Sequence, residues 1–279
     1  MKRTIEAANA YVKMECPFVD HKYFPAYHAA PPVGWVNDPC GFIEAFGQYH
    51  LYGQYHPYSS QWGPMHWGHW ASDDLVKWDW QGVALAPDTS ADEGGCFTGT
   101  AQMDGEEMLV AYAGLEADGE GGHYQQQCMA VSRDGAHFIK AERNPVIGRA
   151  MLPEGGSSVD FRDPCLFRWG DEWRLLATNR NGQGGSLVQY ASRDGLHWEM
   201  KGIFLDGFDQ MLECPDLVVR DGRALLLLSV MDMPMDGRKY PHTNPSIVLG
   251  GTVDEKAAHF YEEGGAALYH RRDRPARRA

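Results

Sequence analysis

The chain predicts an all-β protein of the β-propeller type, and three features carry that prediction. First, a short pattern returns at a fixed interval: Ser72-Asp73-Asp74-Leu75-Val76-Lys77-Trp78, Ser132-Arg133-Asp134-Gly135-Ala136-His137-Phe138 and Ser192-Arg193-Asp194-Gly195-Leu196-His197-Trp198, the serines lying 60 residues apart each time. Thr252-Val253-Asp254, followed by Phe260, is a degenerate fourth copy on the same schedule. A period of this length, holding several short strands, suits blades of about four strands each. Second, the D-G pairs inside the repeat are hairpin signals, because glycine accepts positive φ. Third, the aromatic that ends each copy is placed to pack between neighbouring blades.

Taken in order, the first element is a helix over roughly Thr4 to Lys13, favoured by Ala7, Ala8, Ala10 and Val12. Strand signals then recur as short apolar or aromatic runs: Tyr49–Tyr52, Met108–Tyr112, Trp173–Ala177 and Ala224–Leu228. Each follows a turn signal, in turn Phe46-Gly47-Gln48, Asp104-Gly105, Gly170-Asp171 and Asp221-Gly222.

Length and composition exclude several classes. A chain of 279 residues can bury a sizeable core in one domain. Net charge is −13, and the one strongly basic stretch, His270 to Ala279, leaves the remainder more acidic still. That balance argues against nucleic acid and anionic membranes as partners. Aromatic residues make up 12%, which suits stacking on sugar rings as well as blade packing. The six cysteines, at 16, 40, 96, 128, 165 and 214, form no C-x-x-C pair and no compact disulfide spacing. The opening Met-Lys-Arg-Thr-Ile-Glu-Ala-Ala-Asn has no apolar core segment, so no signal peptide is expected, and no run is long enough to span a bilayer. The expected compartment is the cytoplasm.

The chemistry is carried by three acidic residues in proline-bearing motifs: Asp38 in W-V-N-D-P-C-G, Asp163 in F-R-D-P-C-L-F and Glu213 in E-C-P-D-L. Proline presets its own backbone and pushes the preceding residue toward extended geometry, so each carboxylate is expected at a strand entrance. Glycosidic hydrolysis needs an acid to protonate the leaving oxygen and a carboxylate to attack or direct water. Two Asp and one Glu on inner strands of a propeller supply those groups. His56, His66 and His69 suggest stacking or hydrogen bonding rather than a metal site. Cys40, Cys165 and Cys214 read as small buried hydrophobes. Gly119-Glu120-Gly121-Gly122 and Gly182-Gln183-Gly184-Gly185 read as loop glycines without phosphate-loop spacing.

Together these residues resemble glycoside hydrolase family 32, the β-fructofuranosidases: invertases, sucrose-6-phosphate hydrolases and fructanases. Trp35-Val36-Asn37-Asp38-Pro39-Cys40-Gly41 is similar to the family's N-D-P-N-G signature, Arg162-Asp163-Pro164 to its R-D-P motif and Glu213-Cys214 to its E-C motif. Gln54-Tyr55-His56-Pro57, Gln61 to His69 and Phe97-Thr98-Gly99-Thr100-Ala101 are similar to further blocks. The resemblance implies that Asp38 attacks the anomeric carbon of a fructosyl unit and that Glu213 serves as acid and then base. Asp163, with Arg162, would bind fructose hydroxyls and stabilise the oxocarbenium-like state. Trp35, Asn37, Gln54, Trp62, Phe97 and Thr98 would line the fructose pocket. It implies retention, a separation of about 5–5.5 Å between the Asp38 and Glu213 carboxyls, and a raised pKa for Glu213. The partner implied is a small fructoside: sucrose, sucrose 6-phosphate or a fructo-oligosaccharide. No cofactor and no metal are implied, and the sequence assigns no oligomeric state.

The chain departs from the family in two ways. Cys40 replaces an Asn beside the nucleophile's turn, with Val36 and Thr98 as milder changes. Family members also carry five blades and then a C-terminal β-sandwich, whereas four blade openings are counted here, near Asp38, Phe97, Asp163 and Glu213. The expected fold is therefore a five-bladed-type propeller that is incomplete, with about four blades present and the sandwich lacking. The expected organisation is a helical or extended segment over 1–26, the partial propeller over 27–264 and a basic, disordered tail over 265–279, the result of a truncated reading frame. Two alternatives follow: a remnant that binds fructosides without turnover, and an inverting arabinosidase/xylosidase-type furanosidase. The W-V-N-D-P and E-C-P blocks argue against the second.

Overall fold

Where the four apolar runs were predicted, the computed structural model has the second strand of four antiparallel sheets. It describes residues 3–20, 22, 24–182, 184–235, 243–254 and 259–263, so the expected tail over 265–279 lies outside the described residues. The chain divides into two compact units, Met1–Arg149 and Ala150–Ala279. The first unit holds β1 (Trp35–Ala45), β2 (Gln48–His56), β3 (His66–Ser72) and β4 (Asp79–Leu85), then β5 (Gly95–Asp104), β6 (Glu107–Ala117), β7 (His123–Ser132) and β8 (Phe138–Lys140). The second holds β9 (Phe161–Trp169), β10 (Glu172–Asn181), β11 (Gly184–Ser192) and β12 (Glu199–Phe208), then β13 (Leu212–Arg220), β14 (Arg223–Val230), β15 (Ser246–Asp254) and β16 (His259–Glu262). Each sheet is a four-stranded meander with neighbours in sequence order. That is the blade form, and the all-β class is as predicted. Within the units, the first strands of consecutive sheets pack side by side, β1 beside β5 and β9 beside β13.

The 60-residue repeat is one turn built three times, between the third and fourth strands of a blade. Ser72, Ser132 and Ser192 each end a third strand, and each hydroxyl accepts the N–H three residues on, from Leu75, Gly135 and Gly195, at 2.9 Å. The aspartate two residues after each serine accepts two further backbone N–H groups at 2.8–2.9 Å, from Val76 and Lys77, Ala136 and His137, and Leu196 and His197. These local bonds substitute for ladder bonds that a tight turn cannot make. They explain why Ser and Asp recur at fixed offsets. The residue after the aspartate takes positive φ in every copy: Leu75 at 63°, Gly135 at 75° and Gly195 at 73°. For the fourth copy, Thr252 and Asp254 lie in β15 and Phe260 in β16, with residues 255–258 outside the described set.

Two of the trailing aromatics, Phe138 and Phe260, pack between blades inside their units. Phe138 meets Tyr52 edge-on at 5.6 Å, and the Tyr52 hydroxyl donates to the Gly135 carbonyl at 2.6 Å, tying β2 to the turn of the following sheet. Tyr52, Trp67, Met108 and Tyr112 are fully buried in the core between these two sheets. In the second unit Phe260 packs on Phe204 at 6.2 Å, within a core of Leu176, Leu187, Leu226, Leu228 and Leu249. Burying each such side chain contributes on the order of 2 kcal/mol.

The predicted helix is present as α1 (Ile5–Glu15), with Thr4 as N-cap accepting from the Ala7 N–H at 3.3 Å. Ala8 and Val12 bury against Val33, Tyr55 and Val83, and Asn9 Oδ1 accepts the Val83 N–H at 2.9 Å. One loop expectation is corrected: Gly184 and Gly185 open β11. A Cβ there would come within 1.9 Å of the Phe208 carbonyl or 2.2 Å of the Gln210 carbonyl, so glycine permits a close strand approach.

Candidate active site

Each blade's first strand loses register near its start, and Asn37, Asp38, Phe97, Thr98, Arg162, Asp163 and Glu213 stand at those breaks, whereas Trp35 begins β1, Gln54 lies on β2 and Trp62 lies between β2 and β3. On β1 the slip lies between Asn37 and Pro39, and on β5 between Cys96 and Gly99. On β9 the residues between Arg162 and Cys165 oppose only Ala177, and on β13 the slip lies between Glu213 and Asp216. These are β-bulges, which re-aim a side chain and sharpen the local twist. Asp38, Asp163 and Cys214 each precede a proline and have φ of 21°, 56° and 49°. The expectation of extended geometry is therefore corrected for Asp38 and Asp163; Asp38 lies inside β1, while Asp163 and Glu213 stand near the starts of β9 and β13. The pre-proline residue is the left-handed residue of a bulge inside the strand. Proline suits the next position because the ladder there is already interrupted and needs no N–H.

In the first unit the bulges of β1 and β5 bring Asp38, Gln54 and Thr98 together. Gln54 Nε2 donates to Asp38 Oδ2 at 3.0 Å and to Thr98 Oγ1 at 2.5 Å, while Thr98 Oγ1 donates to the same Oδ2 at 3.3 Å. Gln54 and Thr98 are buried, and Asp38 is exposed. Both donors thus fall on one carboxylate oxygen, Oδ2, of an exposed residue. The Trp35 indole N–H donates to Asn37 Oδ1 at 2.8 Å, orienting the residue before Asp38. Trp62 stands edge-on to Phe97 at 6.1 Å and remains 58% exposed, a free aromatic face. Trp67 Nε1 anchors the Phe97 carbonyl at 2.8 Å. Below this strand a buried ion pair holds the backbone: Lys140 Nζ lies 2.6 Å from Asp92 Oδ2, which also accepts the Tyr112 hydroxyl at 2.8 Å.

In the second unit β9 and β13 gather Arg162, Asp163 and Glu213. Arg162 Nη2 donates to Glu213 Oε1 at 3.0 Å and lies 3.2 Å from the Met231 sulfur, while Nε is 4.0 Å from Asp163 Oδ2. Nη1 donates to Asp160 Oδ1 at 3.1 Å. Burial disfavours the guanidinium's charge, but Asp163 and Glu213 outweigh it and raise the Arg162 pKa. Asp163 is 4% exposed and its Oδ2 accepts the Cys214 backbone N–H at 3.0 Å, which holds the positive-φ residue in place. The Glu213 side chain remains 31% exposed. Asp160 and Met231 were not anticipated from the sequence. Asp160 lies in a bend just ahead of β9, so strand alternation gives no signal for it.

The histidines are engaged in packing. His50 Nδ1 and His69 Nε2 are 2.9 Å apart, and His69 stacks on Tyr52 at 4.6 Å. His56 and His66 each donate from Nδ1 to the Pro64 carbonyl at 3.2 Å. Burial pushes the pKa of His66 down to about 4 and that of His69 down to about 3. Cys40 and Cys165 are buried and Cys214 half-buried. No group of His, Cys, Asp or Glu among the described residues has the arrangement to hold a metal ion.

Comparison with known proteins identifies the family. Residues 28–274 match the glycosyl hydrolases family 32 N-terminal domain. A sucrose-6-phosphate hydrolase of Escherichia coli is 36% identical over 237 residues, covering 82% of this chain and 48% of that protein. A raffinose invertase of Escherichia coli is 32% identical over 259 residues, covering 90% of this chain and 53% of that protein. Among solved structures, the Bombyx mori family 32 β-fructofuranosidase has a TM-score of 0.84 at 32% identity, covering 93% of this chain and 55% of that one. A variant of that enzyme, solved in complex with sucrose, has a TM-score of 0.85. The chain spans about half the length of the curated relatives it matches. The motif-bearing bulges and the match over most of the chain place this protein in glycoside hydrolase family 32.

Proposed function

We propose that the chain carries the chemistry of a retaining β-fructofuranosidase, hydrolysing terminal β-D-fructofuranosyl linkages of sucrose, sucrose 6-phosphate or fructo-oligosaccharides. The observation that carries this reading is the unequal treatment of the two oxygens on each key carboxylate. Both donors to Asp38 fall on Oδ2, which leaves Oδ1 as the oxygen that attacks the anomeric carbon. The same donors stabilise the carboxylate when it departs in the second step. Arg162 engages Oε1 of Glu213, which directs the proton-carrying role to Oε2. In the first step Glu213 protonates the leaving oxygen as the Asp38–C2 bond forms. In the second it takes a proton from water as that bond breaks. Asp163, buried beside the Arg162 cation, binds fructose hydroxyls and stabilises the positive charge spread over the ring. Trp35, Asn37, Gln54, Trp62, Phe97, Thr98 and Arg162 contribute to binding the fructosyl unit, with Trp62 supplying the stacking face.

The relatives named sucrose-6-phosphate hydrolase support a small sugar substrate, as does the sucrose complex of the Bombyx mori enzyme. The acidic balance fits a small sugar better than nucleic acid or an anionic membrane. No helix among the described residues is long and apolar enough to cross a membrane. With the cysteine pattern, this supports a cytoplasmic setting as part of the proposal. The test is fructose release from sucrose and from sucrose 6-phosphate by the purified chain and by Asp38→Ala. Release by the chain alone is expected. Fructoside binding without release by the folded chain would instead favour the binding-only reading.

A further inference from the structure

We propose that Asp160 is a positioning residue that keeps the Arg162–Glu213 contact single-forked, so that one oxygen of Glu213 remains available for proton transfer. The inference rests on the role given to Glu213 above and extends the machinery beyond the R-D-P and E-C motifs. The Arg162 guanidinium is buried and planar, and its two terminal nitrogens serve different carboxylates: Nη1 lies 3.1 Å from Asp160 Oδ1 and Nη2 lies 3.0 Å from Glu213 Oε1. A guanidinium with both forks free pairs bidentately with a carboxylate, occupying both of its oxygens. Tying Nη1 to Asp160 fixes the plane and takes the Nη1–Nη2 edge away from Glu213, which Nη2 engages through Oε1.

Asp160 is itself held by its backbone. The Ser157 hydroxyl accepts the Asp160 N–H at 3.0 Å, and the Ser157 N–H donates to the Arg180 carbonyl at 2.8 Å. The Asp160 carbonyl accepts Asn179 Nδ2 at 2.8 Å and the Arg180 N–H at 3.2 Å. Asn179 is fully buried, and its Nδ2 also holds the Ser157 carbonyl at 2.8 Å. A carboxylate carried on a segment pinned at four points is a fixed anchor, not a mobile surface charge. Its counterpart at the other end of the guanidinium, Glu213, sits on β13, a different strand.

The test uses Asp160→Ala and Asp160→Asn in the full chain, with two readouts. The first is the side-chain N–H signals of Arg162 in 15N–1H NMR spectra, assigned by their loss in Arg162→Lys. Sharp signals held in slow exchange are expected for the parent and for Asp160→Asn, which keeps an acceptor, and changed signals for Asp160→Ala. The second is fructoside turnover. Asp160→Ala is expected to lower kcat about ten- to a hundred-fold with KM changed less than about three-fold, and Asp160→Asn to recover most of kcat. Unchanged Arg162 signals together with parental kcat in Asp160→Ala would overturn the proposal. So would equal loss of kcat in both variants, or a loss confined to KM. If Asp160→Ala fails to fold, the recovery of kcat and of the Arg162 signals by Asp160→Asn decides. A parent that releases no fructose counts against the assigned function, while the Arg162 signals still decide whether Asp160 positions the guanidinium.

Discussion

Asp38, Asp163 and Cys214 share one backbone solution, a left-handed residue before proline inside a β-bulge, and that solution decides where the carboxylates point. A non-glycine residue in this region costs on the order of 1 kcal/mol, so each must be held by its surroundings. Asp163 holds Cys214 through its N–H, and Gln54 with Thr98 holds the Asp38 carboxylate. Thr98→Val keeps the shape and removes the donor to Asp38 Oδ2. Because it also strips the buried Gln54 Nε2 of an acceptor, it is expected to lower kcat about ten-fold and to cost about 1–3 kcal/mol of stability, checked by steady-state kinetics beside calorimetry. Asp163→Asn is expected to cut kcat more severely, because it removes charge next to the forming oxocarbenium as well as a charge-assisted bond. Parental kcat in either variant would argue against the assigned roles. At this scale the candidate carboxylates were singled out by the three proline-bearing motifs taken jointly with their flanking blocks, since a single such motif reads equally well as a turn cap. Their geometry was not legible, because a bulge is a relation between a strand and its partner, and neither Asp38 nor Gln54 reveals it alone. Asp160 escaped for the same reason: its importance lies in a guanidinium shared with a residue 53 positions away.

The repeat turn is the element whose structure was most fully legible. Ser and Asp at fixed offsets supply the same bonds in three copies, and glycine fills the positive-φ position in two of them. Leu75 occupies that position in the first copy with an exposed side chain. Leu75→Gly is therefore expected to stabilise the chain by about 1 kcal/mol, read from the urea midpoint, and an equal or lower midpoint would contradict it. The strand β3 gives a second prediction. Its His66 and His69 have folded pKa values pushed by burial to about 4 and about 3, whereas an unfolded histidine titrates near 6.5. Between those values the unfolded chain binds more protons. Stability is thus fully present above about pH 6.5 and falls as pH drops toward the folded values, by up to about 1.4 kcal/mol per pH unit per histidine. Urea unfolding at pH 7.5 and pH 5 tests this, and equal stability at the two would contradict it. The His50–His69 contact itself was not legible, because 19 residues and a turn separate its partners.

For the whole molecule, the all-β class and the count of four blades follow from the period, and the family from the motif blocks that the repeat spaces apart. The residues to which the proposal assigns roles fall in both compact units: Asp38, Gln54 and Thr98 on Met1–Arg149, Arg162, Asp163 and Glu213 on Ala150–Ala279. The central claim is a covalent fructosyl ester on Asp38, resolved by Glu213. It is tested most directly by reacting Glu213→Gln with a fructoside whose leaving group needs no protonation, then digesting and weighing the peptides. The account predicts one added fructosyl mass on the peptide that contains Asp38, lost when Asp38 is replaced by Ala. Fructose release by the folded parent with no such adduct, or an adduct on a different carboxylate, would contradict it.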